Sequence, residues 1–147
     1  METCTRRSFV ALSTAVLAGL ALPRGASAQA PGVAQGLLDF EGAVNWSAVA
    51  RSWAAQRPMW LAAVRSATTV PQLAAQLVRL EAAMGWSSVE DSWRTRRAGW
   101  LAELGAATAD HQVAVLLMEL EQITKWSAVS PGWRTARSAW VARMGRI

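Results

Sequence analysis

Tyrosine is absent from the 147 residues, phenylalanine occurs twice, and cysteine and histidine once each. The one cysteine, Cys4, lies in an N-terminal stretch with the layout of a removable leader. A chain processed there would have no disulfide, thiolate metal site, cysteine nucleophile or c-type haem attachment. With His111 as the only imidazole, a multi-histidine metal site is excluded, and a Ser-His-Asp triad is poorly supported. No segment beyond the leader is apolar over the roughly 20 residues that cross a bilayer, so no transmembrane span is expected in the mature chain. Nowhere do apolar and polar residues alternate as in a half-buried strand. Charged residues make up only 17 % against 52 % apolar, which is the balance of a folded chain, not a disordered one.

Against these shortages stand nine tryptophans. Trp46, Trp86 and Trp126 lie 40 residues apart, as do Trp53, Trp93 and Trp133, and Trp60, Trp100 and Trp140. The same register carries Glu41, Glu81 and Glu121, then Ser47, Ser87 and Ser127, Val49, Val89 and Val129, and Arg57, Arg97 and Arg137. Three tandem copies, 31–70, 71–110 and 111–147, account for all of it.

Each copy has the pattern of a helical hairpin. Val33, Leu37, Phe40 and Val44 fall on one face of a first helix. Leu73, Leu77, Leu80 and Met84, and Val113, Leu117, Leu120 and Thr124, repeat that face. Pro31 and Pro71 suit a first turn, and Asp110 is a candidate N-cap before His111. Asn45 and Gly85 can take the left-handed conformation that ends a helix, whereas Lys125 suits it less. The second helix is expected to follow at once, with Ser87 and Glu90 at capping-box spacing and Val49, Trp53, Trp60 and Val64 as its apolar stripe. In copy three, Ser130-Pro131 points to a later start. Gly105 and Gly145 are placed as C-terminal caps, and Arg143 and Arg146 suit the last turn electrostatically. Pro58, inside the second helix of copy one, should kink or break it. The expected fold is therefore all-α: six helices in three hairpins, as a short solenoid or a compact bundle.

Residues 1–28 have a different character. Arg6 and Arg7 precede an apolar stretch from Phe9 to Leu22, and Ala26-Ser27-Ala28 offers a small-residue cleavage site. Thr5-Arg6-Arg7-Ser8-Phe9-Val10-Ala11 resembles the bacterial twin-arginine export signal, with Val10 and Ala11 in place of the usual Leu and Lys. That resemblance implies transient contact with the twin-arginine export machinery, export of an already folded chain, and a periplasmic or secreted location. It also implies a cofactor or partner acquired before export in many such cargoes, although no cofactor-binding motif is present here. Loss of residues 1–28 removes Arg6, Arg7, Arg24 and Glu2 and lowers the net charge from +5 to +3. So mild a basicity calls for no nucleic-acid partner.

The repeated residues allow a packing reading and a binding reading. A buried tryptophan contributes about 4–6 kcal/mol of gross burial free energy, so the nine can supply most of a core. Exposed, the same rows would form a face that stacks on sugars, peptides or bases. Glu41 and Arg57 with their copies lie on or beside the apolar faces and call for pairing, either inside one hairpin or between neighbours, as Arg57 with Glu81. Ser47, Ser87 and Ser127 read as caps, the Arg94, Arg96 and Arg97 run as a solvated face, and His111 as incidental. The overall expectation is a non-enzymatic exported repeat protein acting as a protein-interaction or structural module, with a periplasmic glycan- or polymer-binding module using its Trp and Arg rows as the second reading and an enzyme as the third.

Overall fold

The computed structural model describes residues 31–147, so the leader, with Arg6, Arg7, Phe9, Ala26 and Ala28, lies outside the described residues. The first helices of the three copies are α1 (Pro31–Ala43), α4 (Val70–Met84) and α6 (Asp110–Ile123). The second helices are α3 (Trp53–Ser66), α5 (Trp93–Ala106) and α7 (Trp133–Met144). Between them lies a four-residue helix, α2 (Trp46–Val49), in copy one, and a single 3-10 turn, Trp86–Ser88 or Trp126–Ala128, in the others. The described residues are all-helical, apart from two isolated backbone bridges.

The expected first-helix stripe is the core. Val33, Leu37, Phe40, Leu73, Leu77, Leu80, Val113, Leu117 and Leu120 are all buried, and α1, α4 and α6 contact one another around the centre. The second helices pack outside them, each against its own first helix and that of the next copy. The succession closes, because α7 packs on α1.

Three buried indoles mark the closure. Trp60 donates its ring N–H to the Gln76 carbonyl of copy two at 2.9 Å. Trp100 donates to Leu116 of copy three at 2.9 Å, and Trp140 donates to Gly36 of copy one at 3.1 Å. Gly36, Gln76 and Leu116 are equivalent in the 40-residue register, so the arrangement is a three-fold ring. Between the solenoid and the compact bundle, the bundle is what forms. A hairpin that cannot bury its own apolar face leaves none exposed when the third copy meets the first.

Several sequence expectations are corrected. In copies one and two the second helices begin at Trp53 and Trp93, not at the serines six residues earlier; in copy three the later start expected from Ser130-Pro131 is observed, at Trp133. Backbone bonds across the copy boundaries bear on this. Glu90 N–H bonds to Ile123 O and Lys125 N–H to Ser88 O, both at 2.9 Å. Ser130 N–H bonds to Ala43 O at 2.7 Å and Asn45 N–H to Ala128 O at 2.8 Å. In copies two and three these bonds hold the chain after the turn extended, and so delay the helix, whereas in copy one Ser47 lies inside the short helix α2. Ser87 and Ser127 are exposed and cap nothing, while the Ser47 hydroxyl donates to Asn45. Pro58 lies on the exposed side of a helix that continues through it to Ser66, where water can satisfy the carbonyl it leaves unpaired. Asp110 is the first helical residue, not the cap. Of the three positions equivalent to Asn45, only Gly85 has a positive φ, +74°. Gly105 is inside α5, and Gly145 ends α7 with right-handed φ.

A closed ring makes Trp60, Trp100 and Trp140 equivalent. Replacing any one with alanine should cost about 3–5 kcal/mol, the usual range for a buried large aromatic. Urea unfolding of the three variants should therefore give similar losses, whereas in an open array Trp140, at the free end, would lose far less.

Candidate functional site

The chemistry-bearing residues are built up from the hairpin. In copy one the last turn of α1 carries Glu41 inward, and the first two turns of α3 bring Trp53 and Arg57 beside it. Arg57 donates from Nε to Glu41 Oε1 at 2.6 Å and from Nη2 to Oε2 at 3.2 Å, and the Trp53 N–H donates to Oε1 at 3.1 Å. Copy two repeats this with Arg97 and Trp93 on Glu81, at 2.9 and 3.0 Å. Copy three has Arg137 and Trp133 on Glu121, at 2.8 and 3.0 Å. Pairing is thus within one hairpin, and the Arg57–Glu81 alternative is not used. All three carboxylates are buried, and the arginines remain about one-third to one-half exposed. Hydrogen bonding to Glu41 and Glu81 raises the Arg57 and Arg97 guanidinium pKa above the ordinary value, against the opposing effect of burial. A carboxylate that accepts a charge-assisted pair and an indole N–H is fixed in place.

The tryptophan rows divide. Trp53 and Trp60 meet edge-to-face at 5.7 Å, Trp93 and Trp100 at 5.1 Å, and Trp133 and Trp140 at 5.4 Å, and all six are buried. The third row differs between copies. Trp46 folds inward, stacks on Trp53 at 4.8 Å between ring centres, and donates its N–H to the Glu41 carbonyl at 3.0 Å. Trp86 and Trp126 instead stand out, 44 % and 47 % exposed. Arg94 and Arg97 lie over Trp86, at 4.8 and 5.8 Å from the ring centre, and Arg134 lies over Trp126 at 5.0 Å.

Both backbone and neighbour differ between the copies. Trp46 opens a short α-helix, whereas Trp86 and Trp126 open 3-10 turns, and copy one has Ala54 where Arg94 and Arg134 stand. The Arg94, Arg96 and Arg97 run is therefore not merely solvated. Arg96 bonds to Glu119 of copy three at 2.6 Å and to Glu103 at 2.9 Å, tying two copies together. The bond from Arg96 holds Glu103 below the ordinary carboxylate range. Arg143 pairs with Asp39 across the boundary of copies three and one. His111 is exposed at the start of α6.

Beside the outward tryptophans are two equivalent hollows. In copy three, Glu90, Glu121, Gln122, Thr124, Trp126, Val129, Trp133 and Arg137 line about 250 Å³. In copy two, Glu81, Ala82, Gly85, Trp86, Val89 and Arg97 line about 180 Å³. A larger open recess of about 460 Å³ lies between copies three and one, lined mainly by Gly42, Ala43, Gly132, Ala136 and Ala139 beside Trp133 and Trp140. The outward setting of Trp86 and Trp126, beside Arg94 and Arg134 where copy one has Ala54, was not foreseen from the sequence. The substitution was visible in the repeat alignment, but its consequence needs the geometry.

Residues 33–85 match a domain of unknown function, DUF8799. The matched span runs from the first helix of copy one to the end of α4, so it includes the neighbouring helix that receives the Trp60 N–H. No similarity to a curated protein or to a solved structure was found. Among the described residues no helix is long and apolar enough to cross a membrane.

Removing Arg137 while leaving Glu121 should cost about 2–4 kcal/mol, below the full value for a wholly buried pair because the guanidinium is partly exposed. Chemical denaturation of Arg137→Ala checks this. Glu121→Gln, which keeps an acceptor for the Trp133 N–H, should cost less. The Glu103 bond gives a pH signature. Its folded pKa is lowered, so its stabilisation is complete above about pH 4.3, the unfolded value, and is lost as pH falls through the folded one. The midpoint advantage of wild type over Glu103→Gln in thermal melts should shrink as the pH is lowered below 4.

Proposed function

We propose that the chain is an exported, non-enzymatic module that binds another protein through the tryptophan–arginine platforms of copies two and three. The observation that carries this reading is the exposure of Trp86 and Trp126, each held under a guanidinium, in a chain that buries six of its tryptophans and half-buries Trp46. Folding alone gives no reason to leave these two indoles in water, since copy one tucks the equivalent ring inside. Tryptophan and arginine are the side chains that most often anchor protein interfaces, and a ring already ordered by a cation loses little freedom on binding. The repeated carboxylates, the nearest candidates for acid–base chemistry, are instead engaged by arginine and indole. The extracytoplasmic setting rests on the leader and on its resemblance to a twin-arginine signal.

A second reading, binding of a glycan or another polymer, draws on the same platforms. Sugar rings stack on indole faces, and two equivalent sites one repeat apart suit a repeating ligand. It is the weaker reading because the guanidinium already covers one face of each ring.

Affinity capture from a periplasmic extract tests the choice. The wild-type chain should retain a protein that a Trp86→Ala, Trp126→Ala double variant loses by tenfold or more, while Trp46→Ala retains it. Equal retention by the double variant would refute the reading, and glycan-array binding that needs the two rings would favour the second one.

A further inference from the structure

Seven of the nine indole N–H groups are accepted inside the protein, by a buried glutamate or by a main-chain carbonyl. Trp86 and Trp126 are the two that donate to no protein acceptor among the described residues, and both rings are exposed. The groups beside them are donors as well. Arg94 and Arg134 lie over the rings, are exposed, and form no ion pair among the described residues. Lys125, the neighbour of Trp126 in the chain, forms none either. The nearest exposed acids are Glu90 and Asp91, one turn ahead of Arg94, and Glu90 also lines the hollow beside Trp126. Neither comes within ion-pair distance of a cation among the described residues. Copy three has Ser130 and Pro131 at the positions of these two acids, so its platform carries the greater positive charge.

An indole N–H only donates, and a guanidinium or ammonium has no lone pair to offer. A positively charged set made of donors alone is complementary to a negatively charged group made of acceptors alone, which on a protein is a carboxylate. A side-chain amide would bring N–H donors that these groups cannot receive. A guanidinium already laid on a ring is ordered, so meeting a carboxylate costs it little further freedom. Copy one is the internal contrast: its Trp46 N–H is taken by the Glu41 carbonyl, and Ala54 stands in place of the arginine.

We propose that the two platforms receive an acidic segment of the partner protein, one carboxylate at Trp86 and Arg94 and another at Trp126, Arg134 and Lys125. Each carboxylate accepts from the guanidinium and from the indole N–H beside it. The proposal rests on the protein-binding reading above, and narrows it to the charge of the partner's surface.

The test titrates the folded chain with acetylated hexaglutamate amide, and with hexaglutamine as the neutral counterpart. Indole N–H resonances are followed by two-dimensional nitrogen–proton NMR. Hexaglutamate should shift the Trp86 and Trp126 signals saturably and leave the Trp46 signal and those of the buried rings in place, whereas hexaglutamine should shift none. Added salt should weaken the binding, because attraction between exposed charges is screened. Arg134→Gln should weaken the response at Trp126 about two- to fivefold, the worth of an exposed charge pair, and Arg94→Gln should do the same at Trp86. Unmoved signals from the buried rings report that each variant is folded. The proposal is overturned if hexaglutamine shifts the two signals equally, or if the double Arg94→Gln, Arg134→Gln variant binds hexaglutamate unchanged. Polygalacturonate, an acidic glycan, binding about tenfold more tightly per carboxylate would also overturn it, in favour of a polymer ligand. No response to hexaglutamate, with partner capture still dependent on Trp86 and Trp126, would remove the acidic segment and keep the platforms. Hexaglutamate binding with no partner captured would remove the protein-binding reading and this proposal with it.

Discussion

A buried indole must still satisfy its N–H, and the whole arrangement of copies follows from where Trp60, Trp100 and Trp140 find an acceptor. Each reaches out of its own hairpin to a main-chain carbonyl of the next copy's first helix. Such a carbonyl already accepts one helical hydrogen bond, and its second lone pair is free to take the indole. The bond is directional, so it fixes where one hairpin stands on its neighbour, which apolar contact alone leaves loose. Three such steps bring the last copy to the first. The central helices then bury mostly aliphatic chains, Phe40 apart, while the indole rings fill the outer layer between hairpins.

The three boundaries are not equal, although the indole bond is common to them. Copies two and three are joined by two backbone bonds and the Arg96–Glu119 pair. Copies three and one are joined by two backbone bonds and the Arg143–Asp39 pair. At the boundary of copies one and two, Gln56 stands where Arg96 would, Arg79 where Glu119 would, and Ala63 where Arg143 would. Neither an ion pair nor a backbone bridge forms there, and the Gln76 side-chain oxygen is buried without a partner among the described residues. In the same copy Trp46 is folded inward and Val49 is only half-buried. The first copy thus differs from the others in having no bridge or ion pair at its boundary with copy two and in folding its ring inward, while the other two copies keep both bridge and outward ring.

The buried glutamates serve this architecture locally. Each joins the two helices of its own hairpin at the level of the outer tryptophan layer, and its carboxylate satisfies an indole that would otherwise be buried unpaired. One residue type, at one offset, answers both the charge of the arginine and the polar edge of the ring. That accounts for the joint recurrence of Glu, Trp and Arg at offsets of 12 and 16 residues in every copy. It also separates these residues from the arginines at the surface, Arg94 and Arg134, whose partners are exposed rings.

Period and composition alone determined the helical class, the three-copy organisation, the first-helix core and the need of Glu41, Glu81 and Glu121 for a cationic partner. These depend on which residues share a face, and a face is fixed by spacing along one helix. Ring closure, the late start of the second helices of copies one and two and the outward turn of Trp86 and Trp126 were decided only by tertiary structure. Closure depends on a hydrogen bond between residues 104 positions apart, Trp140 and Gly36, and no local pattern encodes it. The serine capping signals of copies two and three were locally sound but lost to backbone bonds from a neighbouring copy. The tryptophans of the third row are identical in sequence, and which way each ring faces goes with the tertiary setting: an α-turn beside Ala54 in copy one, a 3-10 turn beside Arg94 or Arg134 in the others.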